Sequence, residues 1–190
     1  VHSKVPAIIN GETAGPNEAK FQVLVQFLGH KFCCGILIAG DKVLTTAHCL
    51  ELYEKVPFFL WGVQVGLKNI SDPIRQASLV ASVSIHPEYD PKTSSNNIAV
   101  ITLEEYMETD SHIAYAELQT EELPIGSNVT EYGWSLIELN RTDIIDTELL
   151  QKTRLTVKKS GNPNFIAASY ENTNICLGDD GGALVSSDGK

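Results

Sequence analysis

Positive charge is scarce in this sequence. Lys and Arg number 14 against 24 Asp and Glu over 190 residues, a formal net charge of −10. Such a chain repels nucleic acid, heparin-like polymers and anionic membrane surfaces, so none of these is expected as a partner. Cysteine is scarce too. The four, Cys33, Cys34, Cys49 and Cys176, include no C-x-x-C pair. A zinc site or dithiol motif therefore has no basis in their spacing, and no metal or cofactor is expected. No apolar run reaches the roughly 18 residues a membrane-spanning helix requires. Residues 1–7 lack the apolar core of a signal peptide, so any secretion signal is expected to be already gone. No internal repeat or low-complexity tract is visible.

What remains is 43% hydrophobic, enough to build a packed core in one large all-β domain or two small ones. The apolar segments are short, rich in Val, Ile and Phe, and punctuated by Gly, Pro, Asn or Asp. They predict strands at 21–27, 35–38, 42–46, 58–65, 78–85, 98–103, 128–134, 155–159 and 183–186, with one short helix at 49–52. Residues 90–97 read as an exposed loop running into a buried strand, and 104–122 as a polar crossing segment between two halves. The pattern alone is that of a barrel or a sandwich. Three N-glycosylation sequons begin at Asn69, Asn128 and Asn140. Together with the cysteines they point to an oxidising, extracellular compartment.

Five segments, in order, carry more specific information. They are Ile8-Ile9-Asn10-Gly11, Leu44-Thr45-Thr46-Ala47-His48-Cys49, Asn97-Ile98-Ala99-Val100, Tyr132-Gly133-Trp134 and Cys176-Leu177-Gly178-Asp179-Asp180-Gly181-Gly182-Ala183. In this sequence order they resemble the mature N-terminus, histidine segment, acid strand, Gly-Trp turn and nucleophile loop of the trypsin- and chymotrypsin-like serine proteases. The resemblance runs from about Ile8 to the end of the chain. It implies an all-β, double six-stranded antiparallel β-barrel, with residues 1–7 an extension, 8–112 the first barrel and 113–190 the second. It also implies a Cys33–Cys49 disulfide. Family members continue beyond the counterpart of Lys190, so the second barrel is expected to be incomplete here.

The same resemblance locates the chemistry and its loss. Hydrolysis of this type needs a hydroxyl nucleophile, an imidazole to take its proton and a carboxylate to hold the imidazolium. His48 is retained. Asp180 stands at the nucleophile position and Asn97 at the acid position. A carboxylate is a poor nucleophile towards a peptide carbonyl, and its charge opposes the oxyanion that the N–H groups of Gly178 and Asp180 should stabilise. An amide at Asn97 cannot stabilise an imidazolium; the Asp→Asn change in this type of triad lowers kcat about 10⁴-fold. Asp179 matches the aspartate that pairs with the freed amine of the first isoleucine. Ile8 is preceded here by seven residues, and a zymogen-like arrangement is expected. Asn174 falls at the specificity-pocket position. The chain is thus expected to be an inactive homologue that binds extracellular proteins (a protease, an inhibitor or a cascade component) as decoy, cofactor or inhibitor. Residual hydrolysis through His48 and a structural or storage glycoprotein are the alternatives. For Asp180, pairing with protonated His48 is preferred over folding back onto the N–H groups of its own loop.

Overall fold

The computed structural model describes residues 12–51, 56–134, 136–140, 143–146, 148–162, 165–169 and 179–189, with 136–140 and 143–146 as backbone. Strand β1 (Glu12–Thr13) precedes six that close into a barrel. These are β2 (Gln22–Phe27), β3 (His30–Ala39), β4 (Lys42–Thr45), β5 (Trp61–Val65), β6 (Gln76–Ile85) and β7 (Ala99–Leu103). Around the barrel they run in the order β2-β3-β4-β7-β6-β5, every pair antiparallel. Alternation fills it: Trp61, Val63 and Val65 from β5 point inward with Ala99, Ile101 and Leu103 from β7. Each large apolar side chain so buried contributes about 1.5–3 kcal/mol.

Strands β2 and β3 are buried on both faces. Val23 and Val25 enter the barrel, while Leu24 and its cross-strand partner Cys34 face outward into a second cluster with Tyr132, Trp134 and Leu150. That explains the nearly continuous apolar run Val23-Leu24-Val25. The second cluster joins the barrel to a five-stranded antiparallel sheet. The sheet is built from β1, β8 (Asn128–Gly133), β11 (Gln151–Lys158), β12 (Ala167–Ser169) and β13 (Leu184–Ser186). Its order is β1-β11-β8-β13, with β12 also on β11; among the described residues it is open. Among the described residues, strands β9 (Leu136–Asn140) and β10 (Asp143–Asp146) pair only with each other. Residues 104–122 contain no strand and cross between the two units.

The fold is all-β, as the sequence predicts, with several boundaries corrected, among them β11, which starts at Gln151 and not at 155. Leu28 and Gly29 both take positive φ, 53° and 76°, and form a tight hairpin turn. Strand β3 therefore starts at His30, five residues before the apolar run suggests. Residues 58–60 are a 3-10 turn, closed by the Leu60 N–H on the Pro57 carbonyl at 3.1 Å. The helix expected at 49–52 is a single 3-10 turn, His48–Leu50. Strands β1, β9, β10 and β12 carry no clear apolar alternation in the sequence and are additions.

Candidate functional site

The His48–Leu50 turn follows directly from the end of β4. Ala47, Cys49 and Leu50 are buried beneath it, and Cys49 is disulfide-bonded to Cys33 of β3 with the two Cα atoms 6.2 Å apart. The expected bridge is therefore present, and it pins the turn to the barrel wall. With both neighbours buried, His48 points outward, its side chain 60% exposed. Its main-chain N–H donates to Asn97 Oδ1 at 2.8 Å. Its imidazole Nδ1 lies 3.8 Å from Oε1 of Glu51, three residues on. Glu51 in turn accepts the Tyr89 hydroxyl at 2.6 Å. Desolvation, then the hydrogen bond and charge of Glu51, push the Tyr89 hydroxyl up to about 12, so it remains a donor.

The 179–182 segment approaches from the other unit. The Asp180 carbonyl accepts the Cys34 N–H at 2.8 Å and lies 3.7 Å from Cys49 Sγ. Asp180 thus reaches the disulfide beside His48. Gly181 has φ +83°, and a Cβ there would collide with the Cys34 carbonyl and with Thr45 Oγ1, which itself donates to that carbonyl at 2.8 Å. The Asp179 carboxyl is buried and packs directly against Gly133 of the Gly-Trp turn. The Asp180 side chain is exposed and forms no hydrogen bond or ion pair with any described residue. The preferred His48–Asp180 pair is therefore not formed. The physical reason is local: the imidazole finds its carboxylate, Glu51, on its own turn.

Cys34, one residue from the bridge, is fully buried and forms no disulfide. Burial pushes its thiol up to about 12, which keeps it protonated and inert. Glu131 of β8 is 7% exposed, and its Oε2 has no hydrogen-bond partner among the described residues.

Ile8, Asn174, Cys176 and Gly178 lie outside the described residues, as does the side chain of Asn140. Of the other sequons, Asn128 is exposed at the start of β8, and Asn69 is half-buried, its Oδ1 accepting the Ser71 N–H at 2.8 Å. Among the described residues no group of three or more His, Cys, Asp or Glu is arranged to hold a metal ion. Among the described residues no helix is long and apolar enough to cross a membrane.

A closed six-stranded barrel joined to a second antiparallel sheet, with a histidine turn on one and a Gly-rich loop on the other, defines the two-barrel serine-protease fold. The sequence profile of the Trypsin family matches residues 8–190, and the chain belongs to that family. It is similar to a trypsin of Sarcophaga bullata, 28% identical over 94% of this chain and 74% of the relative. It is also similar to a brachyurin of Leptuca pugilator, 28% identical over 92% of this chain and 75% of the relative. Human heparin binding protein superposes with a TM-score of 0.81 at 23% identity, covering 95% of this chain and 81% of that one; at this identity the likeness is one of fold.

Two residues at this site escape the sequence reading. Glu51 stands three residues after His48, a helical spacing that could have indicated it. Glu131 sits between Val129 and Gly133 on the inward side of β8, and a charge at an inward position was the available signal.

Proposed function

We propose that this chain is a non-catalytic member of the trypsin family, secreted, that acts by binding other extracellular proteins. The observation that carries the reading is the carboxylate of Asp180 at the nucleophile position, with no proton for His48 to remove. The surroundings support it. The amide of Asn97 is engaged by a main-chain N–H, and the His48 imidazole is turned towards Glu51. The partner class is a protease, an inhibitor or another component of a proteolytic or immune cascade, with this chain as decoy, cofactor or inhibitor. The Cys33–Cys49 bridge supports an oxidising compartment, where sequons at Asn69, Asn128 and Asn140 would carry glycan. The binding unit spans residues 8–190 as two halves, 8–112 and 113–190. Net charge −10 disfavours polyanions as ligands, whatever a neighbour of similar fold binds.

The test is hydrolysis of unspecific peptide and ester substrates by the purified chain, alongside His48→Ala. Equal, blank-level rates are expected. Turnover that a serine-directed inhibitor or His48→Ala abolishes would return the chain to the active enzymes.

A further inference from the structure

Among the described tyrosines, Tyr106 is the exposed one. Its ring is 65% exposed in the strandless crossing segment, whereas Tyr132 is buried and Tyr89 and Tyr115 pack against the barrel core. Tyr53 and Tyr170 lie outside the described residues. The chain around Tyr106 is pinned from beneath. Met107 is buried and its N–H donates to the Gly40 carbonyl at 2.7 Å. The N–H groups of Glu105 and Glu108 donate to Ser78 Oγ at 2.9 Å and to Gln76 Oε1 at 2.8 Å. The Tyr106 ring rests on Gly40, where a Cβ would come within 2.2 Å of its Cζ. With the backbone held so, the flanking side chains of Glu104, Glu105, Glu108 and Asp110 are all exposed. No Lys or Arg occurs between Lys92 and Arg141 to offset them along the chain.

We propose that Tyr106 is a site of tyrosine O-sulfation. A transferase that holds an anionic sulfuryl donor needs a basic cleft, and carboxylates on both sides of the tyrosine steer the segment into it. Tyr89 also has acidic neighbours, Glu88 and Asp90, but its hydroxyl is committed to Glu51 at 2.6 Å and its ring is packed. Exposure therefore separates the two tyrosines where charge does not.

In the transfer, the phenolic oxygen of Tyr106 attacks the sulfur of phosphoadenylyl sulfate. An O–S bond forms as the bond from sulfur to the phosphate oxygen breaks, and adenosine bisphosphate leaves with the electron pair. The phenol proton passes to a base of the transferase, and nothing is oxidised or reduced. The Tyr115 hydroxyl, hydrogen-bonded with that of Tyr106, gives its own proton to the Met107 carbonyl at 2.7 Å. Tyr106 can then only donate to it, which leaves the attacking lone pairs free. The product is a surface sulfate ester, a permanent negative charge with acceptor oxygens suited to arginines of a partner protein.

Sulfation in the cell rests on the secretory route proposed above, where such transferases are met; the transfer itself can be read without that route. The native, disulfide-intact chain is incubated with a purified tyrosylprotein sulfotransferase and phosphoadenylyl sulfate, and the sulfate is mapped by peptide mass spectrometry. Sulfate is expected on Tyr106 and not on Tyr89. Tyr106→Phe keeps a ring on Gly40 and should abolish labelling of that peptide. Glu104→Gln with Glu105→Gln, both exposed changes, should slow labelling about tenfold. No sulfate at Tyr106 in the native wild-type chain, or sulfate there only after denaturation, would overturn the site. Undiminished labelling of the double glutamine variant would overturn it as well, because steering by charge is what selects the segment. Peptide hydrolysis by the chain would count against the non-catalytic reading alone.

Discussion

The side-chain oxygen of Asn97 is taken by the main-chain N–H of His48, 2.8 Å away, and not by its imidazole. Asn97 therefore holds the His48 turn in place without orienting the ring. The imidazole Nδ1 lies 3.8 Å from Oε1 of Glu51, which itself accepts the Tyr89 hydroxyl at 2.6 Å. Restoring a hydroxyl by Asp180→Ser should accordingly give no measurable ester hydrolysis, since nothing at Asn97 stabilises an imidazolium. A stopped assay with an active-site titrant reads this directly. A burst of one equivalent would show that the remaining groups suffice.

The disulfide closes a short loop, with a sequence separation of 16 between Cys33 and Cys49. Removing it by Cys33→Ala with Cys49→Ala should destabilise the chain by about 3 kcal/mol, the chain-entropy value for a loop of this length. Non-reducing peptide mapping should place Cys33 with Cys49, and Cys34 should resist alkylation until denaturant is added. Denaturant midpoints at unchanged slope would measure the loss. A change below about 1 kcal/mol would mean that the bridge constrains little.

The His48 turn, the strand that follows Asn97 and the Gly-Trp turn were legible in the sequence because each is a contiguous motif whose neighbours are buried. Ala47, Cys49 and Leu50 pin the turn, and Trp134 is wholly buried beside Gly133. The first barrel was legible for a similar reason, since Val, Ile and Trp alternate along β5 and β7. What did not show was how side chains pair across the seam. Asp180 faces outward because its backbone is committed to Cys34, a contact 146 residues apart in the chain that no local pattern encodes. Glu131 was hidden by the strand it occupies, which reads as an ordinary alternating segment. Residues 136–140 and 143–146 were missed because β9 and β10 pair only with each other and impose no shared core periodicity.

Lys152 of β11 ties the start of the chain to the second sheet, with Nζ 2.8 Å from Oε1 of Glu18 and 3.4 Å from Glu12. The hydrogen bond from Lys152, then that from the Gly15 N–H, holds the Glu18 carboxyl below its ordinary value of 4.5. Its contribution is therefore present above about 4.5 and lost as pH falls through the lower folded value. The same hydrogen bond raises Lys152, whose contribution is whole below 10.5 and lost as pH rises beyond it. Lys152→Met should lower the thermal midpoint at neutral pH and leave it nearly unchanged in strong acid, where Glu18 is protonated in both proteins. A deficit that persists unchanged into acid would assign the loss to packing of the Lys152 stem instead.

Gly133 and Asp179 meet so closely that the glycine has no room for a methyl group. A Cβ at Gly133 would overlap the Asp179 carboxyl oxygen and approach its carboxyl carbon to 2.6 Å. Asp179 cannot step aside easily. It is buried, its carbonyl accepts the Gly182 N–H at 2.8 Å, and Gly182 is itself wedged so that a Cβ there would lie 2.6 Å from the Tyr132 carbonyl. Gly133→Ala must therefore displace the whole 179–182 segment from Cys34. Overpacking of this kind costs about 1–3 kcal/mol, or several degrees of thermal midpoint in a chain of this size. The control is Gly29→Ala in the β2–β3 turn. There φ is +76° but nothing lies within 4 Å of the new methyl, so only the backbone penalty of about 1 kcal/mol applies. The two variants separate further in alkylation of Cys34, which Gly133→Ala should accelerate and Gly29→Ala should not. If Gly133→Ala is as stable as wild type and Cys34 stays closed, Asp179 is free to move, and the seam is not held at that glycine.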